Sequence, residues 1–169
     1  RNLIKELRDK GYSISDFSRN NLDWLRSKIN GRKKVAFFTA TEDPAPYRKG
    51  RLYLPDATEI AITTLSNQSD EGFFLMVEGS QIDWAGHARK GDRLIEETLD
   101  FDRTIERVLD FARKDGNTLV IVTADHESGG FSVNQGSKMN HLITAFTSNG
   151  HTGVMVPVFA YGPMAEIFG

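Results

Sequence analysis

Residues 117–128 read "NTLVIVTADHES". From Thr118 to Ala124 the chain is apolar or β-branched almost without interruption, and Asp125 and His126 follow side by side. An unbroken apolar run of strand length is the pattern of a strand covered on both faces, as in a sheet with helices on either side. The two residues that end it are both metal-ligating types. An acid after a strand ordinarily caps a helix, and a single histidine is ordinarily a surface or core side chain, so the dipeptide gains meaning only from the rest of the chain.

Three other runs share its character: "KKVAFFTA" (33–40), "GFFLMVEG" (72–79) and "VPVFAYG" (156–162). Between them the apolar spacing changes to that of helices. "NLIKELRDKGY" predicts a short helix through Leu3, Ile4 and Leu7 that stops at Gly11. Residues 20–29 predict a second, with Leu22, Leu25 and Ile29 on one face and Asn20 or Asn21 as cap. Residues 57–67 predict a third, with Ile60, Ala61, Thr64 and Leu65 inward. A long helix is expected over 93–114, where Leu94, Thr98, Phe101, Ile105, Val108, Leu109 and Ala112 recur at helical spacing before Gly116. Residues 41–56 hold three of the five prolines and read as loop, as does the Gly-, Ser- and Asn-rich stretch 127–140. Apolar strands alternating with helices predict an α/β domain with a mostly parallel sheet flanked by helices. A single domain over 1–169 is expected, with its chemistry concentrated in 70–163.

At 169 residues the chain is long enough to bury one core. The net charge of −2 leaves no basic excess for phosphate backbones, which argues against a nucleic-acid partner. No apolar stretch approaches the roughly 20 residues of a spanning helix. Cysteine is absent, so any metal must be held by His, Asp or Glu. The chain begins with Arg1, and an excised piece of a longer protein is expected.

Two runs finish with acids. "FFLMVEGSQIDWAGH" places Glu78 at a strand end, Asp83 five residues later and His87 four beyond that. Asp125 and His126 end another run, and His151 precedes the last. Ligands of open α/β sheets bind outside the carboxyl ends of the strands, and the loops after those ends bring Asp83, His87, His126 and His151 to the same edge. Zinc accepts imidazole nitrogen and carboxylate oxygen, and one Asp with two His leaves a coordination position open. Glu78 has no histidine neighbour and suits the harder magnesium ion. Two metals about 3.5–4 Å apart can clamp the attacking and leaving oxygens of a phosphoryl transfer.

Taken together, "FFLMVEGSQIDWAGHA", "GNTLVIVTADHESGG" and "HTGVMVPVFAYGP", in that order and with a long helix between the first two, resemble the alkaline phosphatase family. The likeness covers most of 70–163 and extends loosely over 1–69. It implies Glu78 as a magnesium ligand, Asp83, His87 and His151 as the ligands of a first zinc, and Asp125 and His126 as two ligands of a second. It also implies two zincs and one magnesium per intact enzyme, small-molecule phosphate monoesters as substrates, and a periplasmic or secreted protein that is often a homodimer. The wider superfamily, including phosphodiesterases and phosphoglycerate-mutase-like enzymes, is the alternative reading, and a non-catalytic zinc-binding subdomain is another.

The sequence departs from the family pattern in identifiable places. The family's serine nucleophile follows an aspartate, and no aspartate here is followed by serine. The remaining ligands of the second zinc and magnesium, and a phosphate-clamping arginine, cannot be placed either. The 169 residues alone are therefore expected to be the inactive carboxy-terminal portion of the enzyme, with one complete zinc site and two partial sites. Trp84 stands where the family often carries Lys or His. Arg89, Lys90 and Arg93 read as a solvated helix start, Arg48, Lys49 and Arg51 as a solvated loop, and His141 as structural.

Overall fold

The computed structural model describes residues 3–28 and 34–169. Ile29 and Lys33, which the sequence assigns to a helix and a strand, lie outside them. The chain divides into two compact units, 1–45 with 49–77 and 46–48 with 78–169.

In the first unit, helix α1 (Leu3–Asp9) ends before Gly11, whose φ of 82° the absence of a Cβ permits. Strand β1 (Ser13–Asp16) pairs in parallel with β2 (Val35–Phe38), from Ser13 opposite Val35 to Asp16 opposite Phe38. The polar "SISD" carries no strand signal of its own, and its pairing with the apolar partner decides it. Helix α2 (Leu22–Lys28) is capped as expected, the Trp24 N–H donating to Asn21 Oδ1 at 3.0 Å. Helix α3 (Leu54–Ser66) starts three residues before the expected boundary. Pro55 occupies its first turn, where a missing N–H leaves no bond unmade, so a proline that looked like loop is a helix start. Ile60 is buried as expected, together with Ile62 and Thr58, whose hydroxyl donates to the Leu54 carbonyl at 2.8 Å.

The expected strand at 72–79 is not formed: residues 73–79 join no strand among the described residues. Exposure nevertheless alternates along it. Phe73, Leu75 and Val77 are half-buried, while Phe74 and Met76 are 87% and 78% exposed. That is the side-chain period of an extended chain with one face uncovered.

In the second unit, helix α4 (Gln81–His87) leads into the long helix α5 (Gly91–Asp115). Gly116 closes α5 in the left-handed conformation with φ 72°, its N–H returning to the Ala112 carbonyl at 2.9 Å. Three antiparallel pairs follow. Strand β3 (Val120–Val122) pairs with β8 (Phe159–Tyr161), β4 (Glu127–Ser128) with β7 (His151–Thr152), and β5 (Ser132–Val133) with β6 (Thr144–Ala145). Among the described residues parallel pairing is therefore confined to β1–β2. The run 156–162 narrows to three paired residues because Pro157 has no N–H for a ladder, and its carbonyl instead accepts from the Thr123 hydroxyl at 3.1 Å. Two of the small strands, β4 and β5, fall inside the stretch 127–140 that composition assigns to loop.

The inward face of α5 is more polar than its periodicity implies. Ala112 is buried as expected, but Thr98 is exposed, and Glu97, Asp100 and Thr104 are almost fully buried. A 3₁₀ turn at Tyr47–Lys49 explains part of this. The Tyr47 N–H donates to Glu97 Oε1 at 2.7 Å, and Arg48 grips both oxygens of Glu96 at 2.9 and 2.6 Å. The Arg103 guanidinium lies 4.8 Å from the centre of the Tyr47 ring.

Candidate metal centre

Asp83 and His87 lie on helix α4 rather than in a loop, which corrects the expectation for that segment. Their four-residue spacing puts both side chains on one helical face, one turn apart, and this spacing was the overlooked helical signal. Gly86 brings that helix against β4. A Cβ on Gly86 would meet Ser128 Cβ at 2.8 Å and the Ser128 carbonyl oxygen at 3.2 Å, closer than the helix and strand tolerate. Glycine at this position is thus a requirement of the packing.

Across from α4, strand β7 delivers His151. Its Nε2 lies 3.0 Å from His87 Nε2 and 3.7 Å from Asp83 Oδ1, while His87 Nε2 lies 3.4 Å from Asp83 Oδ2. For a tetrahedral zinc with bonds near 2.05 Å, two ligand atoms stand roughly 3.3 Å apart, about 1.63 bond lengths. The three distances straddle that value. The two Asp83 distances end on different carboxylate oxygens, so Asp83, His87 and His151 bring four donor atoms together with contacts near zinc spacing, partly open to solvent. Two imidazole nitrogens at 3.0 Å are a poor pair unless one carries a proton or a cation lies between them. The donor set fits the metal.

Asp125 and His126 stand beside this triangle. The His126 ring stacks on His151 with centroids 3.5 Å apart and planes 19° from parallel, and its Nε2 is 3.2 Å from Asp125 Oδ2. Asp125 is largely exposed. Ser128, which the sequence reading missed, connects the two groups: its hydroxyl donates to Asp83 Oδ1 and lies 3.4 Å from His126 Nδ1. A hydroxyl that donates to the carboxylate is free to accept from an Nδ1–H, which leaves the His126 Nε2 lone pair for a metal.

Glu127 is the second residue not foreseen. Its carboxylate accepts the Thr152 hydroxyl, the Gly130 N–H at 3.0 Å and the Phe131 N–H at 3.1 Å. These bonds, the one from Thr152 foremost, hold its pKa below the ordinary glutamate value. Both residues follow directly in "TADHES", but nothing in that string announces what their side chains reach.

Glu78 lies outside the Asp83–His87–His151 cluster and is exposed. Trp84 is 45% exposed on the same helix as Asp83. Several cations are committed elsewhere. Arg48 is tied to Glu96, and Arg51 is buried rather than solvated. Arg93 is half-buried and donates to Gln81 Oε1, and Arg89 donates to Asn149 Oδ1 at 2.9 Å. His141 is exposed in a bridge with Lys138, away from the ligand set.

The family model for alkaline phosphatase matches residues 1–145. Alkaline phosphatase 3 of Bacillus subtilis is 30% identical over 239 residues, an alignment covering 99% of this chain and 51% of the relative. The alkaline phosphatase of Escherichia coli is 34% identical over 184 residues, covering 97% of this chain and 39% of the relative. Among solved structures, the alkaline phosphatase of the Antarctic bacterium TAB5 superimposes with a TM-score of 0.85 at 40% identity, covering 99% of this chain and 50% of that one. A variant of the TAB5 enzyme with magnesium bound in its M3 site superimposes with a TM-score of 0.84 at 39% identity over the same shares. The chain spans about half the length of these relatives or less.

Proposed function

The chain belongs to the alkaline phosphatase family, and from that membership we propose that the whole protein hydrolyses phosphate monoesters with bound metal. The observation that carries the reading is the cluster of Asp83, His87 and His151, whose two imidazole Nε2 atoms and two carboxylate oxygens make contacts of 3.0, 3.4 and 3.7 Å around a tetrahedral zinc's roughly 3.3 Å.

In this reading Asp83, His87 and His151 hold the first zinc, Asp125 and His126 supply two ligands of a second, and Glu78 contributes one ligand to magnesium. Bound zinc supplies Lewis-acid stabilisation of the oxygens that gain charge during phosphoryl transfer. The chain's own residues orient and insulate that chemistry. His87 and His151 present their Nε2 atoms, Ser128 holds the Asp83 carboxylate, and the His126–His151 stack sets the spacing between the two ligand groups. Trp84 adds no positive charge to the phosphate site. The serine nucleophile, an exported location and a homodimer rest on family resemblance. The mostly parallel sheet belongs to the whole protein in the same sense, with the half-covered run 73–77 as one of its strands.

The test is hydrolysis of p-nitrophenyl phosphate by the whole protein, expected to be abolished by EDTA and restored by zinc. A zinc-loaded whole protein without phosphatase activity overturns the proposal. The 169 residues by themselves are expected to bind zinc without hydrolysing the substrate, since no aspartate here precedes a serine. EDTA-sensitive turnover by these residues alone overturns that part.

A further inference from the structure

We propose that Glu127 is a positioning residue that clamps β4 to β7 and thereby sets the place of His151 relative to Asp83 and His87. The inference rests on the zinc site proposed above but concerns what holds it together. Strands β4 and β7 pair over only two residues each, Glu127 opposite Thr152 and Ser128 opposite His151. A ladder that short is marginal by itself. This ladder nevertheless helps bring His151 to helix α4, across the 64 residues of sequence that separate it from His87.

The Glu127 side chain reinforces that ladder from both sides. Across the pair, Oε2 accepts the hydroxyl of Thr152, the residue that follows His151. Along its own chain, the same oxygen accepts the Gly130 N–H at 3.0 Å and Oε1 accepts the Phe131 N–H at 3.1 Å. Those two donors point to one side because Gly129 and Gly130 both adopt left-handed conformations, with φ of 85° and 58°. Successive backbone N–H groups turned inward in this way form an anion-binding concavity, and the Glu127 carboxylate fills it. The shaped turn is then bound to the strand that carries His151: the Gly129 N–H donates to the Gly150 carbonyl at 3.0 Å, and the Thr147 and Ser148 N–H groups donate to the Gly129 carbonyl, each at 3.0 Å. One carboxylate therefore joins the residue after His126, the double-glycine turn and the residue after His151.

Without the carboxylate the turn loses its internal anion and Thr152 loses its acceptor. The backbone ladder still forms in part, but His151 gains freedom to move against the helix that carries Asp83 and His87. The consequence is a looser triangle rather than a missing ligand.

The experiment compares wild type with Glu127→Ala, Glu127→Gln and Thr152→Val by zinc titration and by the visible d–d spectrum of the cobalt(II)-substituted protein. Glu127→Ala is expected to weaken zinc binding about 10–100-fold, the scale of lost outer-shell support, and to change the cobalt spectrum. Glu127→Gln keeps one carbonyl acceptor and is expected to recover part of the affinity. Thr152→Val removes one donor of the three, so it tests the clamp even if Glu127→Ala fails to fold. Its effect is expected to be non-additive with that of Glu127→Gln. Wild-type affinity and an unaltered cobalt spectrum in both Glu127→Gln and Thr152→Val overturn the clamp while leaving the zinc site standing. A wild-type protein that binds no zinc overturns both.

Discussion

Replacing His151 with alanine tests the donor triangle at the corner that only folding supplies. Asp83 and His87 survive the change on one helix, 3.4 Å apart, so a two-ligand remnant stays organised without any loop to close. Structural zinc sites bind with about 10–16 kcal/mol spread over four ligands, so one ligand is worth about 2.5–4 kcal/mol. At about 1.4 kcal/mol per factor of ten, the first zinc should bind about 10²–10³-fold more weakly. The low end applies if a neighbour substitutes. His126 is placed to do so, since its ring lies 3.5 Å from that of His151. Adding His126→Ala to His151→Ala should therefore carry the loss toward the high end. The assay is competition for zinc against a chromophoric chelator at fixed pH and ionic strength. His141→Ala serves as the control, because His141 is exposed outside the cluster and should change nothing. A His151→Ala protein that binds its first zinc within about threefold of wild type, with His126 also replaced, refutes the assignment.

Three further outcomes follow from other contacts. Gly86→Ala places a Cβ 2.8 Å from that of Ser128, and overpacking of this kind costs about 1–3 kcal/mol; thermal unfolding should show a lower Tm, and zinc titration a weaker site as α4 is pushed from β4. Ser128→Ala removes the donor that holds Asp83 Oδ1, and zinc affinity should fall about 10–100-fold with little change in Tm. The pairing of Glu96 with Arg48, chiefly their hydrogen bond, holds the Glu96 pKa below its ordinary value of 4.5. A depressed carboxylate pKa contributes stability above the unfolded value and loses it as pH falls through the folded one. Arg48→Ala should therefore lower Tm slightly at pH 7, and the difference from wild type should shrink as pH falls below 4.5 and Glu96 takes up its proton. A difference that does not change with pH shows that Arg48 acts through packing instead.

Much of the candidate site was legible in the sequence because ligand chemistry resides in residue types. With cysteine absent, a metal can be held only by histidine, aspartate or glutamate, and Asp83, His87 and His151 are drawn together as expected. The helix under two of them was missed although its spacing was visible, because "SQIDWAGH" lacks the apolar period that announces a helix. Glu127 and Ser128 were illegible for a different reason. Their partners, Thr152 and Asp83, lie 25 and 45 residues away, and no local pattern encodes a contact of that range. The same holds for Glu97, whose burial inside a helix defies its charge until the Tyr47 N–H arrives to meet it.

The sheet marks the other limit. Apolar runs identify segments that prefer an extended, covered state, but hydrogen-bond partners decide whether a strand forms and in which direction it pairs. The run 72–79 has the composition and even the alternating exposure of a strand, yet joins no strand among the described residues. The run 156–162 pairs only where Pro157 allows, and it does so antiparallel. By itself, then, the sequence determined which side chains can bind metal, which helix is long and where it stops, because those properties are carried by residue identity and short-range period. Only the tertiary structure decided that Gly86 lets α4 touch β4, that a two-residue ladder brings His151 to His87, and that the donors stand at zinc spacing. Those depend on distances between segments far apart along the chain, which packing sets and composition does not.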